Sequence, residues 1–266
     1  MKVENHRSEV IEHAWVNARY KYLRVRCPAP LARATVAGQF YQLACPVNET
    51  EKPFLRRPMS VYGIGPEADR IEFLYHVKGV GTQALERLRP GDALPMTGPL
   101  GSGFSFSPAW RRVLLVARGV GLATMAPLVP LAAGAGVAIT AVLSARSPAD
   151  LMREEFLRGA QAEVHAVFDS DVSSSIENVA VIVRKIMREQ RPEMVYTCGS
   201  NRLLTLLQNL SCGGEVALEQ QMACAMGVCL SCVRLFNEDG AKVFRRVCCE
   251  GPVFPVVAVA GEVRFG

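Results

Sequence analysis

Histidine and tryptophan are scarce in this chain of 266 residues, with four and two copies respectively. His6, His13, His76 and His165 are scattered along the sequence, and each reads as a surface or packing residue. There is no GxSxG elbow, no HExxH helix and no Walker A loop, which removes the commonest serine-hydrolase, zinc-protease and P-loop readings. Excess positive charge is also missing: 30 basic less 25 acidic residues leaves +5, too little for a dedicated nucleic-acid binder. The basic run at 19–33 is read as a solvated strand face. A charge-free stretch at 119–143 has the length of a membrane span, but its four glycines and two prolines favour a glycine turn, a buried helix and a strand at 137–143. The N-terminal MKVENHRSEVIEHAW carries no apolar signal region, so a cytoplasmic, reducing environment is expected. No solenoid period is visible, and an apolar content of 50% excludes a mainly disordered chain.

Cysteine, by contrast, is plentiful. Nine are present, and Cys224, Cys229, Cys232, Cys248 and Cys249 fall close together. In a reducing compartment such clustering points to metal rather than to disulfides. Cys224, Cys229 and Cys232 are spaced C-x4-C-x2-C, with a fourth thiol well downstream, the arrangement plant-type ferredoxins use for a [2Fe–2S] cluster. Ala225, Gly227 and Ser231 are small enough for a loop wrapped closely on such a cluster, with N–H groups aimed at sulfur. The competing reading is a four-thiolate zinc site, which usually pairs two short knuckles rather than crowding three ligands into one loop. Spacing alone does not choose between Cys248 and Cys249. Cys27, Cys45 and Cys212 are expected to be buried thiols acting as small hydrophobes.

The pattern along the chain predicts an α+β multidomain protein. Short alternating runs at 20–28, 39–45, 58–64 and 70–78 suggest an antiparallel barrel over residues 1–108, ended by the Gly- and Pro-rich run at 91–104, which cannot be one regular element. From 109 to 214, strands at 111–117, 137–143, 162–169 and 193–199 alternate with helical segments such as 178–190, as in a doubly wound α/β domain. Residues 215–266 form a small cysteine-bearing module.

These residues match a family. Leu218, Glu219, Met222, Cys224, Gly227, Cys229, Cys232 and Val233, then Val247, Cys248, Glu250, Gly251, Pro252, Val253 and Phe254, resemble the signature of the electron-transfer subunits of class 1B dihydroorotate dehydrogenase, within the ferredoxin-NADP reductase-like superfamily. The resemblance runs from about Gly38 to Phe254 and implies Cys248 as fourth ligand, with Cys249 in a variable place. The loop Gly227-Val-Cys-Leu-Ser-Cys232 fits that family better than sulfite-reductase or hydrogenase relatives, which tend to carry G-x-C-G-x-C. It also implies FAD. Arg57, Pro58, Met59 and Ser60 correspond to the flavin motif R-x-x-S, in which the arginine fork suits a pyrophosphate and the serine the isoalloxazine edge. Leu74, Tyr75 and His76 would then lie beside the flavin, with Gly81 and Thr82 giving backbone and hydroxyl donors to phosphate. GPLGSGF resembles the family's GPLGNGF, with Ser102 in place of asparagine.

For NAD(H), the resemblance implies a glycine-rich turn reading about GGGIGVPP; here Gly119 and Gly121 match, while Ala117, Arg118, Ala123 and Thr124 depart from it. Arg118 either adds a cation for the phosphates or fills the groove with its bulk. Cys198 and Gly199 match the YxCGP motif near the nicotinamide, with Ser200 where proline is usual. The implied function is an oxidoreductase subunit that moves electrons between NAD(H), FAD and a [2Fe–2S] cluster. Its implied partner is an FMN-containing catalytic subunit that oxidises dihydroorotate in pyrimidine biosynthesis, in a heterotetramer. The alternatives are a reductase-like subunit of another redox complex, and an assembly or sensor subunit with an impaired NAD site.

Overall fold

The computed structural model describes residues 3–48, 52–65, 67, 69–152 and 154–260. The first compact unit comprises the described residues of Met1–Gly103 together with Gln220–Val233 and Arg246–Pro252. Its strands are β1 (Glu4–Trp15), β2 (Tyr20–Arg26), β3 (Phe40–Leu43), β4 (Arg57–Ile64), β5 (Arg70–His76) and β6 (Ala93–Leu100), with short helices α1 (Ala29–Ala34) and α2 (Val80–Glu86). They close as an antiparallel barrel in the order β1-β2-β5-β4-β3-β6. Alternation sends Leu23, Val25, Tyr41, Leu43, Ile71, Phe73 and Tyr75 into one buried core. Each such aliphatic or aromatic side chain contributes about 1.5–3 kcal/mol on burial. The buried Tyr75 hydroxyl is satisfied by His13 Nε2 at 2.9 Å, while His13 Nδ1 donates to Leu88 O at 2.7 Å. Burial lowers the His13 pKa and so favours that neutral tautomer.

Two barrel strands were not legible in the sequence. β1 pairs with β2 and β6 yet reads as polar because His6 and Ser8 share its inward parity with Val10, the core anchor. β6 lies inside the Gly- and Pro-rich run at 91–104: residues 93–100 are extended, and Leu94 and Met96 enter the core despite Pro95 and Pro99. The run is indeed not one regular element, but it supplies the strand between β1 and β3 that closes the barrel.

The second unit comprises Phe104–Glu219, Arg234–Arg245 and the described residues from Val253 onward. Here lie β7 (Arg112–Arg118), α3 (Gly121–Met125), α4 (Leu128–Ala135), β8 (Ala138–Ala145), α5 (Glu154–Gly159), β9 (Glu163–Phe168), α6 (Ile176–Glu189), β10 (Met194–Cys198), α7 (Asn201–Asn209) and β11 (Glu215–Ala217). The chain ends through the hairpin β12 (Val233–Glu238) and β13 (Ala241–Arg246), then α8 (Val247–Glu250) and β14 (Val253–Pro255). The sheet order is β14-β11-β10-β7-β8-β9, parallel except where β14 pairs with β11. Chain direction across the sheet reverses between β7 and β10, the switch point at which such folds bind dinucleotides. The charge-free stretch resolves into a turn, the short helices α3 and α4, and β8. Among the described residues no helix is long and apolar enough to cross a membrane.

Candidate flavin, nucleotide and iron–sulfur sites

The barrel brings both flavin segments together. Arg57 begins β4, and Gly81 lies in the first turn of α2. A Cβ on Gly81 would fall 2.3 Å from Arg57 Nε and 2.5 Å from Cζ, so only glycine lets the guanidinium lie against this turn. Thr82 organises the turn: its Oγ1 accepts from Lys78 N at 3.0 Å and Gly79 N at 3.1 Å and donates to Gly79 O at 3.0 Å. Its hydroxyl proton is therefore spent inside the turn, and the donors it offers a phosphate are backbone N–H groups. Alternation divides the remaining expected residues. Pro58, Ser60, Leu74 and His76 lie on the outer wall of the barrel, whereas Tyr75 belongs to the core and Met59 packs against it. Met59 and Tyr75 thus offer the outer wall only their main chain. The His76 ring packs on Tyr20 at 5.1 Å between centroids. A basic fork on a glycine turn beside an outer wall of serine, histidine and apolar groups fits a pyrophosphate joined to a planar ring system.

In the second unit, the turns after β7 and β10 meet backbone to backbone. A Cβ on Gly121 would fall 2.5 Å from Cys198 O, and one on Gly199 would fall 2.2 Å from Arg118 O. Gly199 has φ +93 and Gly119 φ +52, conformations that favour glycine. Three of the departures from the family pattern, Arg118, Thr124 and Ser200, have hydrogen-bond partners. The Cys198 thiol donates to Thr124 Oγ1 at 3.6 Å, and Glu219 Oε1 lies 4.0 Å from the same sulfur. Burial pushes the Cys198 thiol far up, so it stays protonated. Ser200 caps α7 by accepting from Leu203 N. Arg118 is held by partners within the sheet unit. Its guanidinium makes a fork to Asp169, at 3.1 and 2.7 Å, and donates to Ser144 Oγ at 2.7 Å, running sideways across the carboxyl ends of β8 and β9. Asp169, Thr124 and the placement of Glu219 by Cys198 were not anticipated from sequence. They become neighbours only through the parallel sheet, and no local spacing signals that.

The first unit also holds the cysteine loop. Ala225, Gly227 and Leu230 all have positive φ, at 55, 78 and 61. These left-handed steps curl the loop so that Met226 N and Cys229 N both donate to Cys224 Sγ at 3.4 Å. Cys229 is brought down to about 6 chiefly by a hydrogen bond from Ser231, which favours its thiolate form. Burial and the neighbouring Cys232 push the Cys248 thiol up, and Val247 N donates to Cys232 O at 3.2 Å. The four thiols therefore form two pairs, Cys224 with Cys229 and Cys232 with Cys248. Among the described residues no three ligand side chains gather at a single point. The four thiols would hold a [2Fe–2S] cluster, the group their C-x4-C-x2-C spacing fits. Cys248 is buried beside Cys232 whereas Cys249 is exposed. The Cys248 turn is fixed to the barrel exit: Ser102 N donates to Gly251 O at 2.6 Å, a main-chain bond that does not depend on the family's asparagine. Of the other thiols, Cys27 and Cys212 are buried, while Cys45 is partly exposed.

Comparisons with known proteins identify the family. Residues 219–260 match the family described as the iron–sulfur cluster binding domain of dihydroorotate dehydrogenase B. The chain is 33% identical over 236 residues to the dihydroorotate dehydrogenase B (NAD(+)) electron transfer subunit of Desulforamulus reducens, covering 87% of this chain and 89% of that one. It is 33% identical to the Geobacillus sp. counterpart, covering 85% and 86%. Among solved structures, the NADH-dependent reduced ferredoxin-NADP oxidoreductase is similar with a TM-score of 0.78 at 22% identity, over 95% of this chain and 89% of that one. Plasmodium falciparum ferredoxin-NADP+ reductase is similar in fold, with a TM-score of 0.64 at 12% identity, over 78% and 89%.

Proposed function

Since the chain belongs to the electron-transfer subunits of dihydroorotate dehydrogenase B, we propose that it joins an FMN-containing catalytic subunit in a cytoplasmic heterotetramer and links dihydroorotate oxidation to NAD+. It is an oxidoreductase subunit that carries electrons between NAD(H), FAD and a [2Fe–2S] cluster. The observation that carries the reading is the pairing of Cys224 with Cys229 and of Cys232 with Cys248, on a segment tied to the flavin barrel through Ser102 and Gly251. Nine unpaired cysteines suit a reducing cytoplasm.

Each site has its own part in this reading. Arg57 and the turn at Gly81 and Thr82 hold the FAD pyrophosphate; Ser60, Leu74 and His76, with the main chain of Pro58, Met59 and Tyr75, hold its ring against the barrel. Bound FAD would supply the exchange between single electrons from the cluster side and the electron pair that NAD+ takes up as hydride. Gly119, Gly121 and Gly199 let backbone approach the dinucleotide, and Cys198 with Glu219 borders the nicotinamide. Cys224, Cys229, Cys232 and Cys248 hold the two irons, and residues 215–266 act as the cluster module. No residue of this chain is assigned to proton abstraction from dihydroorotate, which is left to the partner.

The test is co-expression of the chain with the FMN-containing dehydrogenase of its own host, followed by an assay of dihydroorotate and NAD+ conversion to orotate, NADH and a proton. The expected result is a co-purifying complex with two copies of each chain that reduces NAD+ only when both subunits are present. A catalytic subunit that reduces NAD+ alone, or that never associates with this chain, contradicts the proposal.

A further inference from the structure

The loop bearing Cys224, Cys229 and Cys232 and the turn bearing Cys248 are far apart in sequence, and a single side chain spans them. Arg246 sits at the end of β13, just before α8. Its main-chain N and its Nε both donate to Glu250 Oε2, each at 2.9 Å, which closes the turn around Cys248. Its Nη1 donates to Gly227 O at 3.3 Å, in the middle of the three-cysteine loop. Gly227 is central to this contact. This residue has φ +78, and a Cβ there would fall 2.8 Å from Cys249 Sγ and 3.2 Å from Arg246 Nη1. Glycine at 227 is therefore what admits the guanidinium. The neighbouring Arg245 is committed elsewhere, to Glu238 across the β12–β13 hairpin.

Resting on the cluster reading above, we infer that Arg246 is the positioning residue of the iron–sulfur site: it clamps the three-cysteine loop to the fourth-ligand turn, and its charge raises the reduction potential of the cluster. The fork explains why arginine is used. One edge of the guanidinium satisfies a carboxylate while a second nitrogen reaches a carbonyl, a fixed fork that lysine, with all its donors on one nitrogen, does not provide. The charge acts because reduction adds one negative charge to the cluster, and a nearby cation stabilises that form. Glu250 sits on the Nε edge and opposes the effect. The two charges must therefore move the potential in opposite directions, which loss of packing alone does not do.

The measurement is an EPR-monitored redox titration of the full-length chain purified without oxygen, together with its iron content per FAD. Arg246→Gln is expected to lower the potential enough to disfavour electron occupancy of the cluster about tenfold, equivalent to 59 mV for one electron. Glu250→Gln is expected to shift it upward. Arg246→Lys keeps the charge and is expected to hold the potential close to wild type, while losing iron to a chelator several-fold faster because the clamp is gone. Potentials that stay put in both Arg246→Gln and Glu250→Gln, or that move in the same direction, overturn the inference. If Arg246→Gln retains no iron, Glu250→Gln decides alone: an upward shift supports the inference and an unchanged potential defeats it. A wild-type chain without a two-iron EPR signal would instead defeat the underlying cluster assignment.

Discussion

Arg118 shows how a residue that looks obstructive in a string of letters acquires a partner in space. Its fork to Asp169, supported by Ser144, holds it along the strand ends, and the close approach that needs glycine falls on Gly121 and Gly199 instead. Arg118→Gly is therefore expected to leave NADH reduction of the flavin within about threefold of wild type. It should lower stability by no more than about 1 kcal/mol, the usual ceiling for a partly exposed ion pair. Stopped-flow bleaching and thermal unfolding check both, and a tenfold loss of NADH affinity would contradict the assignment. The same pair has a pH signature. The Arg118 guanidinium, with help from Ser174, holds the Asp169 carboxyl down to about 2. The stability it adds is present above the ordinary carboxylate range near pH 4 and is lost as pH falls from there through 2. Acid unfolding of Asp169→Asn should accordingly diverge from wild type above pH 4 and converge with it near pH 2.

Strands and turns explain which parts of the fold could be read in advance. β7, β8 and β10 are continuous apolar runs buried on both faces, and their alternation with helices was plain from residues 111 to 199. β1 and β6 were not, because β1 turns His6 and Ser8 inward with Val10 and β6 carries two prolines, so only closure of the barrel makes them strands. The flavin turn was legible as a motif, but the side-chain directions of Met59 and Tyr75 follow from barrel parity, which a motif does not carry. Two glycines make opposite predictions. Gly81→Ala meets only the flexible end of Arg57, so the melting temperature should change little while FAD content falls several-fold. Gly199→Ala meets backbone at 2.2 Å in a left-handed conformation. It should cost about 1–3 kcal/mol and weaken NADH binding, with FAD and iron retained. Thermal shift with FAD and iron analysis separates the two cases.

Taken as a whole, the chain's last module was visible as chemistry before it was visible as architecture. Its cysteine spacing named the cluster, yet its residues divide: Gln220–Val233 and Arg246–Pro252 pack with the barrel, while Arg234–Arg245 and the described residues from Val253 join the sheet unit. Sequence spacing reports ligands well because they are short-range. It does not report which unit a segment packs with, which depends on main-chain bonds such as Ser102 N to Gly251 O. The same organisation predicts that Cys248→Ser abolishes the two-iron EPR signal while Cys249→Ser retains it, since Cys248 is the buried partner of Cys232. The most direct test of the account is an anaerobic titration of the full-length chain with NADH, followed by visible absorption and EPR. One FAD and two irons per chain, with NADH bleaching the flavin and then raising a two-iron EPR signal, is the predicted result. A colourless protein that holds zinc, or a flavin and cluster that NADH leaves oxidised, would contradict it.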